Sequence, residues 1–148
     1  MSTERNKAMS KRLYEEVFGR GNLGAADEIL DVECVNHGAG APPSIGREQI
    51  KRQATLLRTA MPDLEVVLND QFAEGDHVVS RWTGRGTHTG PLTMPSGAVP
   101  PSGRAVSFDE IRIDRFEVAR IVESWFIPDR MTLWQQLGLL PPSGSSTG

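Results

Sequence analysis

The first part of the chain carries the hydrophobic spacing of amphipathic helices. Met9, Leu13 and Val17 recur every four residues, which predicts a helix over residues 3–18. Similar spacing and capping residues predict two more helices, at residues 23–30 and 47–60. The segment 32–37 between them favours β-structure and is predicted to be a short strand. The segment 38–46, rich in glycine and proline, is predicted to be a loop.

After residue 64 the hydrophobic period changes to two, as it does in β-strands. This alternation predicts strands at residues 64–68, 77–85, 105–113 and 118–127, with another extended segment that begins at residue 72. The last two strands are predicted to pair as a hairpin. Residues 91–103 hold four prolines and two glycines, so we predict a long irregular loop there.

A short helix is predicted to close the chain. Pro128 interrupts the alternation of the last strand, and Asp129 offers a side chain that suits the N-cap of a helix over residues 130–137. Gly138 would end that helix at the position where a left-handed conformation is common. Asp129 also lies near the expected mouth of the fold, which makes it a candidate acid or base.

Helices that precede a run of hairpin-linked strands predict an α+β domain. We expect the N-terminal helices to pack on one face of a curved antiparallel sheet, which would enclose a cone with a small-molecule site at its mouth. The strands carry apolar residues on both faces, such as Ile111 and Ile113 on one and Phe108 on the other. Because the helices can cover only one face, the other is predicted to form a homodimer interface.

The composition indicates one ordinary domain over residues 1–140 and a flexible polar tail over residues 141–148. The net charge of -3 and the absence of a Lys/Arg stripe give no reason to expect nucleic acid as a partner. Cys34 is the only cysteine, which excludes an intrachain disulfide and favours the cytosol. No apolar run is long enough for a signal or a membrane span, so no membrane association is expected.

Glu110 and Arg112 share one face of a predicted strand. If that face lines the cone, a buried carboxylate beside a guanidinium could activate a water molecule or polarise a carbonyl group. If it faces solvent, the two form an ordinary exposed ion pair. His88, between Gly86 and Gly90, is a further candidate for proton transfer near neutral pH, and its alternative role is a hydrogen bond to a neighbouring loop.

Five residues are candidates for contact with a substrate. Arg81 and Trp82 point to opposite faces of one strand, so one of them lines the cone and the other lies on the dimer face. The other three candidates are His37, Trp125 and Phe126. The three histidines of the chain lack the spacing of metal ligands, so no metal site is predicted.

Several short motifs in order resemble the SnoaL-like polyketide cyclase (ester cyclase) family. The resemblance covers residues 6–140 and rests on Met61-Pro62-Asp63-Leu64, Gly86-Thr87-His88-Thr89-Gly90, Pro101-x-Gly103-Arg104, Trp125-x3-Asp129 and Gln136-Leu137-Gly138. It implies the cone-shaped NTF2-like fold, a dimer, and a small hydrophobic substrate that is handled without a metal or an organic cofactor. The family implies the fold more firmly than the reaction, because one fold can carry many activities.

The resemblance also implies a changed pocket. The aspartate that serves as base in the aldol cyclases falls at Phe126, which cannot transfer a proton, and their histidine falls at Arg112. We therefore expect a cofactor-independent enzyme that performs cyclisation, hydration or isomerisation on an apolar substrate with a carbonyl group. The alternatives are a non-catalytic binding module for a hydrophobic ligand and an epoxide-opening enzyme.

Overall fold

A computed structural model describes residues 2–94 and 97–141, which form four α-helices, one π-helical turn and eight strands. The helical elements are α1 (Thr3–Arg12), the π-turn (Leu13–Phe18) that continues it, α2 (Ala25–Ile29), α3 (Arg47–Ala60) and α4 (Arg130–Gln136). The strands are β1 (Leu30–Gly38), β2 (Ser44–Ile45), β3 (Glu65–Glu74), β4 (His77–Thr87), β5 (Leu92–Met94), β6 (Gly97–Val99), β7 (Ala105–Glu117) and β8 (Arg120–Pro128).

Six strands form one sheet in the order β2-β1-β8-β7-β4-β3. Every neighbouring pair is antiparallel except β1 and β8, which run parallel, so the sheet is mixed rather than wholly antiparallel as predicted. Hydrophobic alternation indicates a strand but not the direction of its neighbour.

The helices pack on one face of the sheet, here called the inner face, and the opposite face is the outer face. Leu13 and Val17 of the π-turn join Trp82 of β4 and Ile121 of β8 in the main core, where each is at most 1% exposed. A second apolar cluster lies where the end of α3 and α4 meet the sheet, around Met61, Leu64, Val106, Phe108 and Leu137. The predicted α+β architecture is confirmed.

Several predicted boundaries differ from the structure. The extended segments near residues 64 and 72 are one strand, β3, with a register shift between Leu68 and Asp70. The β7–β8 reversal includes Val118 and Ala119, whose φ angles are 47° and 68°, so β8 begins at residue 120 and not at 118 as predicted. The two predicted loops contain β2 and the β5–β6 hairpin.

The predicted domain limit falls close to the last described residue. Residue 141 is described, and the remainder of the predicted polar tail, residues 142–148, lies outside the described residues. Among the described helices, none combines the length and the apolar character that a membrane crossing requires.

Candidate active site

The strand parity of β7 brings several polar side chains to the inner face. Phe108, Glu110, Arg112, Asp114 and Phe116 alternate with residues that are less buried, and all five face the helices. Sequence parity placed Glu110 and Arg112 on one face, and the structure identifies that face as the covered one. The exposed ion pair considered as their alternative is therefore excluded.

Arg112 forms a buried ion pair with Asp114. Its Nε donates to Asp114 Oδ1 at 2.7 Å, and the two side chains are 1% and 0% exposed. Ser124 donates to the same oxygen at 2.7 Å, while Ser10 of α1 donates to Oδ2 at 2.8 Å. Burial by itself lowers the pKa of the Arg112 guanidinium, but Asp114, Tyr14 and Glu110 together outweigh burial and keep that pKa above its usual value. Arg112 is therefore a permanent cation with a fixed orientation.

One edge of the Arg112 guanidinium remains free. Its Nη2 is buried and has no hydrogen-bond partner among the described residues. The guanidinium carbon lies 5.8 Å from the centre of the Tyr14 ring and 5.9 Å from that of Phe126, so two aromatic rings lie close to the guanidinium. A buried donor without a partner is unfavourable, and a ligand oxygen would satisfy it.

Glu110 lies two residues before Arg112 and accepts a hydrogen bond from the Tyr14 hydroxyl at its Oε1. Burial raises the pKa of the Glu110 carboxyl, although the Tyr14 hydrogen bond and the Arg112 charge oppose that rise. Glu110 keeps partial access to solvent while protein surrounds it on most sides, as expected for a side chain in the wall of a recess. Tyr14 is almost fully buried, and burial followed by the Glu110 charge holds its pKa well above 10.

Trp82 and Phe126 complete the aromatic border of this group. The Trp82 ring stacks on Tyr14 with centroids 4.1 Å apart, and its Nε1 is a second buried donor without a partner among the described residues. Phe126 is half-buried on β8 and pairs with Arg112 across the β7–β8 ladder. The group formed by Tyr14, Trp82, Glu110, Arg112 and Phe126 is called the inner polar site below.

His88 does not belong to the inner polar site. It follows β4 six residues after Trp82, which is roughly 20 Å along an extended strand. Its Nδ1 lies 2.9 Å from the Ser102 hydroxyl and accepts the Ser102 backbone N–H at 3.2 Å. His88 was predicted as a candidate for proton transfer, but the structure places it away from Glu110 and shows the loop contact considered as the alternative.

Asp129 is the N-cap of α4, as its position predicted. Its Oδ1 accepts the Thr132 backbone N–H at 3.1 Å and its Oδ2 accepts the Thr132 hydroxyl at 2.6 Å. These hydrogen bonds lower the pKa of the exposed carboxyl, because they stabilise its ionised form. A carboxyl that is engaged in this way is a poor proton carrier, so the structure does not favour Asp129 as an acid or base.

Three predicted substrate contacts lie on the outer face. His37 and Trp125 are partners in the β1–β8 ladder, their rings stack 5.1 Å apart, and His37 Nε2 lies 2.7 Å from the Glu123 carboxylate. Arg81 donates to Asp70 at 2.8 Å on the same face. The sheet itself separates these side chains from the inner polar site. Their predicted contact with a substrate in the cone therefore needs correction, whereas Trp82 and Phe126 face inward.

A surface depression lies elsewhere in the described part of the chain. It has a volume of about 650 Å³ and is lined by the ends of β4 and β7, with Asp63, Arg85, Thr87 and Gln136 on its walls. It is shallow and open and contains none of the predicted site residues. Two of its polar groups are already paired, since Asp63 accepts two hydrogen bonds from Thr87 and Gln136 accepts the Ser107 backbone N–H. We therefore give more weight to the unpaired donors of the inner polar site.

The described residues offer no arrangement of three or more His, Cys, Asp or Glu side chains that would hold a metal ion. Sequence reasoning missed four members of the polar group around Arg112, namely Ser10, Tyr14, Asp114 and Ser124. Ser10 and Tyr14 come from α1 and the π-turn, about a hundred residues before their partners. The only indication of Ser10 and Tyr14 in the sequence was a hydroxyl group on the side of the first helix that is predicted to be buried.

A mixed six-stranded sheet with helices on its inner face and polar groups beneath them defines the SnoaL-like and NTF2-like class of α+β proteins. The chain belongs to the SnoaL-like polyketide cyclase family, because the sequence model of that family matches residues 8–137. A comparison of the sequence with curated proteins gives no match.

Solved structures agree with this family. A candidate SnoaL-like polyketide cyclase from Jannaschia sp. CCS1 superposes with a TM-score of 0.82 at 24% identity and covers 95% of both chains. AclR, a candidate hydroxylase from Streptomyces galilaeus, gives 0.83 at 24% identity over 97% of this chain and 87% of its own. IdmH, a candidate polyketide cyclase from Streptomyces antibioticus, gives 0.75 at 30% identity over 90% and 98%. The first two likenesses concern the fold alone.

Proposed function

We propose that this protein is an enzyme that works without a cofactor and moves a proton on an apolar substrate with a carbonyl group. The observation that carries the proposal is the pairing, on the inner face, of a carboxyl whose pKa burial raises with a guanidinium that keeps one donor free. A base near neutral pH and a fixed donor for a developing negative charge are the two groups that such a reaction needs.

In the proposed reaction, Glu110 takes a proton from the carbon next to the substrate carbonyl. The electrons of the broken C–H bond move into the carbonyl, whose oxygen becomes an enolate. Arg112 Nη2 donates to that oxygen, and Trp82 Nε1, whose ring stacks on Tyr14, is a second unpaired donor in the inner polar site. The enolate carbon then attacks a second carbonyl, which closes a ring, and the alkoxide so formed takes the proton from Glu110. Alternatively, Glu110 returns the proton at another carbon of the enolate system, which isomerises the substrate.

The position of the base differs from that implied by the family resemblance. Phe126 occupies the expected position on β8, and its ring provides an apolar wall beside Arg112. Glu110 lies on the adjacent strand β7, opposite Pro128. A carboxylate can therefore serve the same recess from the neighbouring strand. This supports proton-transfer chemistry of the family type with a different group as base.

The chemistry of the site also supports the class of substrate. Both unpaired buried groups, Arg112 Nη2 and Trp82 Nε1, are donors, so a ligand should present oxygen acceptors to them. The rings of Tyr14, Trp82 and Phe126 favour an apolar or aromatic body around those oxygens. A small polyketide or another β-dicarbonyl compound has this combination.

We also propose that the protein is a homodimer that associates through the outer face. Apolar side chains remain exposed there, including Phe72 at 67%, Ile127 at 62% and Ile111 at 44%. Ile111 and Ile127 are direct partners in the β7–β8 ladder and so form one patch. The cytosol remains the proposed compartment, since Cys34 is buried and unpaired.

The test of the proposed reaction is deuterium uptake. A panel of β-diketones and β-ketoesters is incubated in D₂O with wild type, Glu110→Gln and, as a matched control, Glu74→Gln, which changes an exposed carboxylate at the end of β3. We expect wild type and Glu74→Gln to speed exchange at the activated carbon and Glu110→Gln to lose at least about 100-fold of that rate. Equal exchange by Glu110→Gln would overturn the assignment. Binding without faster exchange in any variant would identify a non-catalytic binding protein instead.

A further inference from the structure

The first helix does not continue as an α-helix to its end. After Arg12 it widens into the π-turn, and the backbone N–H of Gly19 donates to the Tyr14 carbonyl at 2.7 Å, five residues earlier instead of four. Short π-helical segments are rare and occur often at functional sites. We therefore ask which side chains the π-turn directs into the interior.

Gly19 is the residue that this geometry requires. A Cβ atom at residue 19 would lie 2.6 Å from the Glu15 carbonyl oxygen, which is a backbone atom that cannot move aside cheaply. Any other residue at this position would push against the carbonyl and change the end of the π-turn. The glycine thus permits the five-residue hydrogen bond and fixes where the preceding turn directs its side chains.

The π-turn buries four of its six side chains, Leu13, Tyr14, Val17 and Phe18. Three of them are apolar and fill the core. Tyr14 is different, because its ring stacks between Trp82 and Phe18 while its hydroxyl reaches Glu110 on β7. The widened turn therefore carries one polar atom into the inner polar site.

The hydroxyl of Tyr14 engages only one of the two Glu110 oxygens. It donates to Oε1, and Oε2 has no hydrogen-bond partner among the described residues. A carboxylate held at one oxygen and free at the other is oriented to accept a proton from a ligand. The ring of Tyr14 also borders Arg112, so one residue contacts both the proposed base and the proposed donor.

We propose that Tyr14, directed by the π-turn and Gly19, is a positioning residue that orients the Glu110 carboxylate and favours its ionised form. The inference rests on the proposed function, in which Glu110 is the base. The end of the first helix thus contributes a group that acts on the proposed base on β7. Without the hydroxyl, Oε1 loses its donor while the burial of the carboxyl stays the same.

The charged groups that face Glu110 decide the direction of the effect. Burial raises the pKa of Glu110; the Tyr14 hydrogen bond and the Arg112 charge lower it, Asp114 raises it, and Arg130 lowers it. Removing the hydroxyl deletes one of the opposing contributions, so the carboxyl should hold its proton to higher pH. A Tyr14 that served only to pack the core would have no such effect, because phenylalanine keeps the ring.

The experiment is a titration that needs no substrate. Wild type, Tyr14→Phe and Phe18→Leu are labelled with ¹³C at the glutamate side-chain carboxyls, and the Glu110 signal is identified by its loss in Glu110→Gln. We expect the midpoint of the Glu110 titration to move to higher pH by about one unit in Tyr14→Phe. Phe18→Leu removes a ring from the same stack without touching Glu110, so its midpoint should equal that of wild type.

Two results would overturn the proposal. The first is a wild-type midpoint in Tyr14→Phe. The second is an equal shift in Phe18→Leu, which would mean that packing alone sets the titration. Gly19→Ala tests the role of the π-turn, because the added Cβ displaces the turn. The midpoint of the Glu110 titration in Gly19→Ala should move in the same direction as in Tyr14→Phe. An unmoved midpoint would mean that the π-turn does not direct Tyr14 onto Glu110.

The titration and the deuterium experiment fail independently. If Glu110→Gln retains the exchange activity, the proposed base is wrong whatever Tyr14 does to its titration. With an active substrate, Tyr14→Phe should lower kcat about 10-fold at neutral pH with little change in KM and should move the acid limb of the rate profile to higher pH. Phe18→Leu should leave that limb in place.

Discussion

Arg112 Nε donates to Asp114 Oδ1 at 2.7 Å in an ion pair that is closed to solvent. Ser10 and Ser124 satisfy further lone pairs of the same carboxylate, so Asp114 is fully used within the protein. Arg112 in contrast keeps Nη2 free. Asp114 therefore holds the guanidinium in place, and Arg112 presents a free donor to the inner polar site.

Replacing Asp114 should destabilise the protein strongly. Asp114→Asn keeps the shape of the side chain but leaves the Arg112 charge buried without compensation, so the free energy of unfolding should fall by about 3–5 kcal/mol in urea titrations. Asp70→Asn is the matched control, because it breaks the exposed pair with Arg81 and should lose at most about 1 kcal/mol. Equal losses in the two variants would show that the buried pair has no special part in stability.

The raised pKa of Glu110 predicts a pH-dependent stability. In the folded state the Glu110 carboxyl binds its proton more tightly than in the unfolded chain. The free energy of unfolding therefore falls as pH rises from the pKa of the unfolded state, about 4.3, to the higher pKa of the folded state. Glu110→Gln removes this loss. The free energy of unfolding of Glu110→Gln relative to wild type should therefore increase with pH across that window and stay constant above it.

Urea unfolding at a series of pH values checks this. Glu74→Gln, which changes an exposed carboxylate, should show no such trend. A difference between Glu110→Gln and wild type that decreases with rising pH would mean that the folded protein lowers the pKa of Glu110.

The Gly86–Gly90 motif has a structural explanation that predicts a second stability effect. A Cβ at Gly90 would lie 1.9 Å from the Thr59 carbonyl oxygen at the end of α3, where Thr89 and Gly90 both donate to the Ala60 carbonyl. Gly90→Ala should lower the free energy of unfolding by about 1–3 kcal/mol. Gly24→Ala, which meets no close backbone atom, should be neutral or slightly stabilising in the same thermal or urea unfolding experiment.

The outer face predicts the oligomeric state. Ile127→Asp places a charge in the exposed patch shared with Ile111, so light scattering after gel filtration should report a monomer where wild type is a dimer. Val118→Asp is the control, because Val118 is 92% exposed in the β7–β8 turn, away from that patch. A wild-type protein that is monomeric at tens of micromolar would contradict the proposed interface.

Local signals in the sequence predicted the helices, most of the long strands and one cap, but not β2 or the β5–β6 hairpin. Asp129 caps α4 through contacts only three residues away, which sequence spacing can show. Parity also placed Glu110 and Arg112 on one face. It could not tell which face was covered, because Ile111 and Phe108 make both parities apolar.

The remaining features depend on distant parts of the chain or on backbone geometry. Tyr14 meets Glu110 across 96 positions, and β1 finds its parallel partner β8 at the other end of the domain. Val118 and Ala119 adopt left-handed conformations, although valine and alanine favour negative φ angles. Their sequence therefore predicts a strand where the structure has a turn. His88 and Glu110 were both candidates for proton transfer, and only the register of β4 against β7 shows that they lie apart.

The most direct test of the account is a crystal structure of the protein with a bound β-diketone enolate or a phenolate that mimics it. We predict that the anionic oxygen lies within hydrogen-bond distance of Arg112 Nη2 and that the carbon to be deprotonated faces Glu110 Oε2. Ligand bound instead in the depression beside Arg85 and Thr87, with the inner polar site closed, would contradict the assignment of Glu110 and Arg112 as the reacting groups.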